Sequence, residues 1–276
     1  MNQDLQGQSS TLLKKIESEL GEIKDQEKKQ RITRFIIAAM SSIPWIGGFF
    51  GASASLKAEL EQSKTNDLIK LWIEEHEAKL SDLGETIHKI IVRFDSFGDS
   101  IKDRIQSEEY LQLVRKGFRI WDKADTEDIR ELIRKLIANS CAINLSSDDV
   151  IRLFMDWIEK YHDSHFYVIK YIYQNPGISR GQIWDMIYDY RPAENSAEAD
   201  LYKLLIRDLS TGSVIRQYRE TNYYGEFVKK SRPKTRGAGS KVMKSAFSDS
   251  EPYELTELGS KFVHYCMEEV VPQIEK

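Results

Sequence analysis

The chain has 276 residues, 41% of them hydrophobic and 30% charged, with 40 Lys and Arg against 44 Asp and Glu for a formal net charge of −4. That length accommodates one large domain or two modest ones, each able to bury its own core, and the composition excludes a disulfide scaffold, a disordered or collagen-like chain and a multi-span membrane protein. The near balance of charge announces no partner, so electrostatic arguments rest on local clusters. Cys141 and Cys266 lie far apart and read as small buried hydrophobes. With a polar rather than apolar opening run, they predict a reducing, cytoplasmic location.

Leu12, Leu13, Ile16, Leu20 and Ile23 fall at three- and four-residue spacing among Lys and Glu, the pattern of an amphipathic helix. Then come 22 residues without an ionisable side chain, Phe35 to Leu56. A helix of that length, at about 1.5 Å per residue, reaches across a hydrocarbon core of roughly 30 Å. Pro44 and the Gly47–Gly48 pair bend it, so a kinked helix or a tight helical hairpin is expected. Gly47, Gly51 and Ser55 recur every four residues, as do Gly48 and Ala52. With Trp45, Phe49 and Phe50 beside them, these small residues form a candidate surface for membrane insertion or self-association. Lys28, Lys29, Arg31 and Arg34 precede the run, so insertion would keep that flank cytoplasmic, or rest it on anionic headgroups. The same small residues serve equally well in a helix pair buried in a soluble bundle.

A second stripe, from Leu68, Leu71 and Trp72 through Leu83, Ile87, Ile90, Ile91 and Phe94, predicts a long helix. Phe97 to Ser107 reads as a connector. Three shorter helices follow: one with Tyr110, Leu111, Val114, Phe118 and Trp121 inward, one begun by Asp125 or Thr126 as N-cap, and one after Ser147. Glu159, His162 and His165 are the one set here with metal-ligand chemistry, but i and i+6 diverge by about 120° around a helix, so a hydrogen-bonded histidine pair is expected and no metal. There is no GxxxxGK[ST], GxSxG, HExxH or CxxC, so neither a catalytic site nor a cofactor is expected, and the protein reads as non-enzymatic.

From His165 the elements become short and punctuated. Asn175, Pro176 and Gly177 stop one helix, and Ser179 with Gln182 forms a capping box for the next. Ala197 to Leu209 makes a third, with Leu201, Leu204, Leu205 and Leu209 inward and Gly212 at a left-handed C′ position. Val214 to Tyr218 reads as a strand, a long polar loop follows, Pro252 to Leu255 is its returning partner, and Thr256 caps a last helix. Helix, helix, helix, strand, wing, strand, helix resembles the winged helix-turn-helix superfamily over roughly residues 165–272, with YELTELGSKFVHY similar to its last strand and terminal helix. That resemblance implies a fold, since winged helices contact DNA, RNA, proteins or each other.

In the expected wing, Lys229, Lys230, Arg232, Lys234, Arg236, Lys241 and Lys244 face the single Glu226 within residues 226–245, a pattern suited to phosphate contacts or to an acidic protein surface. In the third helix Glu198, Asp200 and Asp208 outnumber Lys203 and Arg207, which argues against sequence readout in a major groove. The order of an apolar Gly- and Ala-rich segment, the phrases SEEYLQLVRKGFRIW and IRELIRKLIANS, then HFYVIKYIYQNPG is similar to bacterial abortive-infection proteins of the Abi-alpha type. It implies a phage-defence protein.

The expectation is therefore a mainly α protein. It comprises long helices flanking the apolar segment over 1–105, a small helical bundle over 106–163 and a winged helix over 164–276 with a small β-wing. Two functions follow: a non-enzymatic defence effector with peripheral or inducible membrane association through 35–56 and the winged helix as sensor, or a nucleic-acid-binding regulator whose N-terminal helices form a homo-oligomer.

Overall fold

The computed structural model describes residues 21, 25–46, 62–142, 146–228 and 245–267, with only the backbone taken for 62–70 and 72–75. Among these residues the protein is mainly helical, with ten α-helices and one small two-stranded antiparallel sheet. Contacts divide it into two compact units, Met1–Lys160 with Tyr265–Lys276, and Tyr161–His264.

In the first unit α1 (Gln26–Ser41) starts at Asp25, whose carboxylate accepts from the amides of Glu27 at 2.9 Å and Lys28 at 3.3 Å. These bonds satisfy helix N–H groups that have no intrahelical partner, and they hold the Asp25 carboxyl below its ordinary range. Helix α1 buries Ile32, Phe35, Ile36, Ala38 and Ala39, and beyond its end Ile43 and Ile46 are buried too. Six of the first twelve residues of the uncharged run thus lie in a protein core, while Ile37, Ser41 and Pro44 are exposed; residues 47–56 lie outside the described residues. Among the described residues no helix is long and apolar enough to cross a membrane.

Helix α2 (Gln62–Phe97) has 36 residues and contributes Leu83, Ile87, Ile90, Ile91 and Phe94 to the core. Leu71, expected on its inward stripe, is exposed. The expected connector after it is helical: a 3₁₀ turn (Gly98–Ile101) and α3 (Lys102–Gln106) bury Ile101 and Ile105. Two apolar residues four apart suffice to seat one turn against α1, which is why a polar composition did not leave it a loop. Helices α4 (Glu108–Lys123), α5 (Glu127–Ser140) and α6 (Asp148–Lys160) complete the unit, α4 and α5 capped by Ser107 and Thr126. Phe35 lies at the centre, its ring 5.1 Å from Phe94 and 6.2 Å from Phe118 in edge-to-face geometry. The fully buried Tyr110 hydroxyl donates to the Ile137 carbonyl at 2.9 Å.

The second unit opens with α7 (Asp163–Gln174), α8 (Arg180–Ile187) and α9 (Ala197–Thr211). Ser179 and Gln182 make the reciprocal capping box, at 3.0 and 3.2 Å. Strand β1 (Ile215–Gln217) pairs antiparallel with β2 (Tyr253–Leu255) in the register Ile215↔Leu255. The Tyr253 backbone also bonds to Gly177 and Ile178, tying the sheet to the turn before α8. Thr256 starts α10 (Glu257–Cys266), accepting from Gly259 N at 2.9 Å.

Two expectations in this unit are corrected. Helix α9 turns Ala199, Tyr202, Leu205, Ile206 and Leu209 inward, while Leu201 and Leu204 are 53% and 38% exposed. Tyr202 takes the inward position because its ring meets Trp184 at 5.2 Å and Phe247 at 6.0 Å. Gly212 is not left-handed, with φ −72°; the left-handed residue is Ser213, at φ 59°.

Candidate nucleic-acid interface

The candidate interface is built on the chain that leaves β1. Thr221 and Phe227 form an isolated antiparallel bridge, reinforced by Val228 N donating to Glu220 O at 2.8 Å and Asn222 N to Glu226 O at 2.9 Å. Between them lies a tight turn. The Asn222 side-chain oxygen accepts from the amides of Tyr224 at 3.0 Å and Glu226 at 2.9 Å, and its Nδ2 donates to Glu226 at 2.8 Å. Gly225 takes φ 78°, a conformation a side chain would strain. The seven residues Thr221 to Phe227 are thereby tied together, and Tyr223 and Tyr224 stand at the tip, 97% and 84% exposed, with rings 5.6 Å apart and almost perpendicular.

Large aromatic rings presented to water on a hydrogen-bonded turn contribute nothing to a core. Their π faces suit stacking by bases. Arg216 and Arg219 lie over the Phe227 ring at 5.2 and 6.0 Å, leaving two guanidinium groups at the base of the same hairpin. Arg216 is also paired with Glu254 at 2.7 Å, which fixes it to β2.

The seven cations expected to contact phosphate, Lys229, Lys230, Arg232, Lys234, Arg236, Lys241 and Lys244, lie outside the described residues. Both ends of that segment are anchored within them. Val228 is bonded as above, and at the other end the Glu194 carboxylate accepts from the Ala246 amide at 2.9 Å and from the Ser245 hydroxyl. The Ala246 amide, more than any other group, holds the Glu194 carboxyl below the ordinary carboxylate range.

Helix α9 presents a different face. Glu198, Asp200, Leu201 and Leu204 point outward, and the Lys203 ammonium is committed to Asp200 and Glu194 at 3.5 and 3.7 Å. With Tyr167, Trp184 and Tyr188, Leu201 lines an apolar pocket of about 190 Å³. Acidic and apolar groups in these positions oppose insertion of α9 among phosphates.

No family model, curated protein or solved structure matches the chain.

The other candidate residues fall as follows. Trp45 is half-buried in the first unit, where its indole N–H donates to Asp122 at 2.6 Å and its ring stacks on His76 at 5.1 Å. Gly47, Gly48, Phe49, Phe50, Gly51, Ala52 and Ser55 lie outside the described residues. His162 and His165 are brought together by a local helix cap, the His162 amide donating to His165 Nδ1 at 3.1 Å, and Glu159 pairs instead with Lys123 at 3.2 Å. Among the described residues no group of His, Cys, Asp and Glu could hold a metal ion. Cys141 and Cys266 are buried and unbridged, and burial pushes the Cys141 thiol up to about 12 and the Cys266 thiol well above its ordinary value.

The exposed Tyr223–Tyr224 hairpin is the candidate feature the residue pattern concealed. The signal was present, since Asn222 and Gly225 frame it between Thr221 and Phe227, but the stretch reads as part of a long polar loop when only the basic residues beyond it are weighed.

Proposed function

We propose that the second unit is a winged-helix module that binds nucleic acid through its wing. Three helices, a strand, a hairpin, a returning strand and a helix, in the order α7 to α10 with β1 and β2 between, support the module. The exposed Tyr223–Tyr224 tip, leading straight into a segment with seven cations, carries the nucleic-acid reading. In this reading the cations neutralise phosphates, the tyrosines stack on bases, and α9 stays outside the groove, so binding has little sequence preference. The helical first unit acts as the oligomerisation scaffold of a regulator.

Anisotropy titrations of the full chain with labelled single-stranded and duplex oligonucleotides at several salt concentrations test it. Affinity should fall steeply with salt, the log–log slope growing by roughly 0.7 per neutralised phosphate on single strands and roughly 0.9 on duplex. Replacing Lys229, Lys230, Arg232 and Arg236 by Ser should lower both affinity and slope for all sequences alike. No binding at low salt removes the reading, and unchanged binding in the Ser variant relocates the site.

A second reading has its own observation. The burial of Phe35, Ile36, Ile43 and Ile46 favours a defence effector whose apolar segment 35–56 is shielded in a resting bundle and reaches a membrane only when released. Liposome leakage that is insensitive to Gly47→Leu and Gly51→Leu, or absent under every trigger, counts against it.

A further inference from the structure

The second unit holds an aromatic pocket of about 190 Å³, walled by α7, α8, α9 and the chain that follows α8. Five rings line it: Tyr167 from α7, Trp184 from α8, Tyr188 and Tyr190 just beyond α8, and Tyr202 from α9. Trp184 and Tyr202 are buried and make the floor, while Tyr167, Tyr188 and Tyr190 are exposed at the rim. The rings lie in several planes. Tyr188 stands at 63° to Tyr190 with centroids 6.5 Å apart, and Tyr202 at 69° to Trp184 with centroids 5.2 Å apart. Rings so inclined enclose a compact space, whereas parallel rings would leave a slot.

The floor has no donor to spare. Trp184 Nε1 donates to the Tyr190 carbonyl at 2.6 Å, and the Tyr202 hydroxyl donates to the Arg180 carbonyl at 2.7 Å. A ligand that depends on hydrogen bonds from buried donors, an anion above all, is poorly served there. Charge points the other way. The lining contains no Lys, Arg or His and one carboxylate, Glu198. Among the described residues no cation pairs with Glu198, and the nearby Lys203 is committed to Asp200 and Glu194 at 3.5 and 3.7 Å. The Glu198 backbone amide, with the Ser196 hydroxyl, holds that carboxyl below its ordinary range, so it is ionised at neutral pH. Aromatic faces carry the negative part of the ring quadrupole, and beside an ionised carboxylate they favour a cation with little hydration to lose.

We propose that this pocket binds a quaternary ammonium head group, its methyl groups set against Tyr167, Tyr188, Tyr190 and the Trp184 floor and its charge balanced by Glu198. The volume lies below the roughly 300 Å³ at which drug-sized sites begin, which suits a compact head group and excludes a whole nucleotide. Two sources carry that chemistry, a free choline-like compound and a trimethylated lysine on a protein tail. The pocket shares no residue with the wing, and the inference does not rest on the nucleic-acid reading.

Ligand-observed NMR titration of the full chain with choline tests it, run beside the neutral tert-butyl analogue in which carbon replaces the nitrogen. Choline should saturate the pocket in the millimolar range or below, about fivefold or more tightly than its uncharged analogue. Tyr167→Leu with Tyr190→Leu keeps apolar bulk and removes two π faces, so it should weaken choline about tenfold or more and bring it level with the analogue. Glu198→Gln, on the exposed rim, should cost about twofold or more at low salt, and it carries the test should the double variant lose its helical circular dichroism. Tyr223→Ala with Tyr224→Ala, which removes exposed rings outside the pocket, should leave choline binding unchanged. A peptide bearing trimethyllysine, titrated beside its unmodified form, identifies the source: tighter binding than choline places the head group on a protein tail, weaker binding places it on a free compound, and both keep the cage. Absence of saturable choline binding overturns the proposal. So does equal affinity for the uncharged analogue, or an equal loss in the Tyr223 and Tyr224 variant.

Discussion

The hydroxyl of Tyr161 occupies the place where a side chain on Gly212 would begin: a Cβ at Gly212 would lie 2.1 Å from it and 3.1 Å from the Asp208 carbonyl. Gly212 is therefore required by close approach and not by backbone conformation, since its φ of −72° suits any residue. Gly212→Ala should destabilise the second unit by about 1–3 kcal/mol through overpacking. Removing the hydroxyl in Tyr161→Phe should restore much of that loss in the double variant. A thermal-denaturation double-mutant cycle measures the coupling, and strictly additive effects would contradict the contact.

Two other glycines should respond very differently to the same substitution. A Cβ at Gly259 would stand 2.1 Å from the Val214 carbonyl oxygen, which is backbone and accepts from Thr256 N at 3.0 Å, so it cannot retreat without breaking the start of α10. At Gly117 the nearest atom, at 2.6 Å, is the tip of the Ile137 side chain, which can change rotamer. Gly259→Ala should cost more than Gly117→Ala, by about 1 kcal/mol or more, and Ile137→Val should relieve the second but not the first. Chemical denaturation of the variants ranks them.

Alkali should destabilise the fold, with a sign that follows from burial. Cys141 moves from its ordinary 9.0 to about 12 in the native state, and burial likewise raises Tyr110, Tyr161 and Tyr202 above 10.0. The native state thus holds these protons more tightly than the unfolded chain. Their stabilising contribution is complete below about pH 9 and is lost as pH rises through the window between unfolded and native values. Unfolding midpoints should fall steadily above pH 9. The thiols should also resist a disulfide reagent until denaturant is added, whereupon both react; two rapidly reacting native thiols would contradict their burial.

What was legible in the sequence was local. Ser179 with Gln182, Thr126 and Thr256 cap helices where expected because a cap involves three or four neighbouring residues. The pairing of 215–217 with 253–255 was legible because a β-rich run bounded by polar turns recurs at each. The inward face of α9 was not, since Leu201, Leu204, Leu205 and Leu209 cover more than one face and the choice falls to Tyr202, through Trp184 and the distant Phe247. Of the proposed nucleic-acid interface, charge was legible and the aromatic tip was not.

That tip and the outward face of α9 make opposite predictions. Tyr223→Ala with Tyr224→Ala should weaken single-strand binding by about 1–3 kcal/mol per stacked base, roughly 5- to 150-fold, while leaving the salt slope unchanged because no phosphate contact is removed. The fold should not notice, as both rings are exposed and surface changes of this kind stay within about 0.5 kcal/mol. Leu201→Gln with Leu204→Gln, neutral changes on the exposed side of α9, should leave affinity within about twofold of the parent chain for single strands and duplex alike. Anisotropy titrations of the two double variants side by side decide between them. A loss on the α9 face with an indifferent tip would mean that the helix, despite its carboxylates, meets the nucleic acid and that the tyrosines serve another contact.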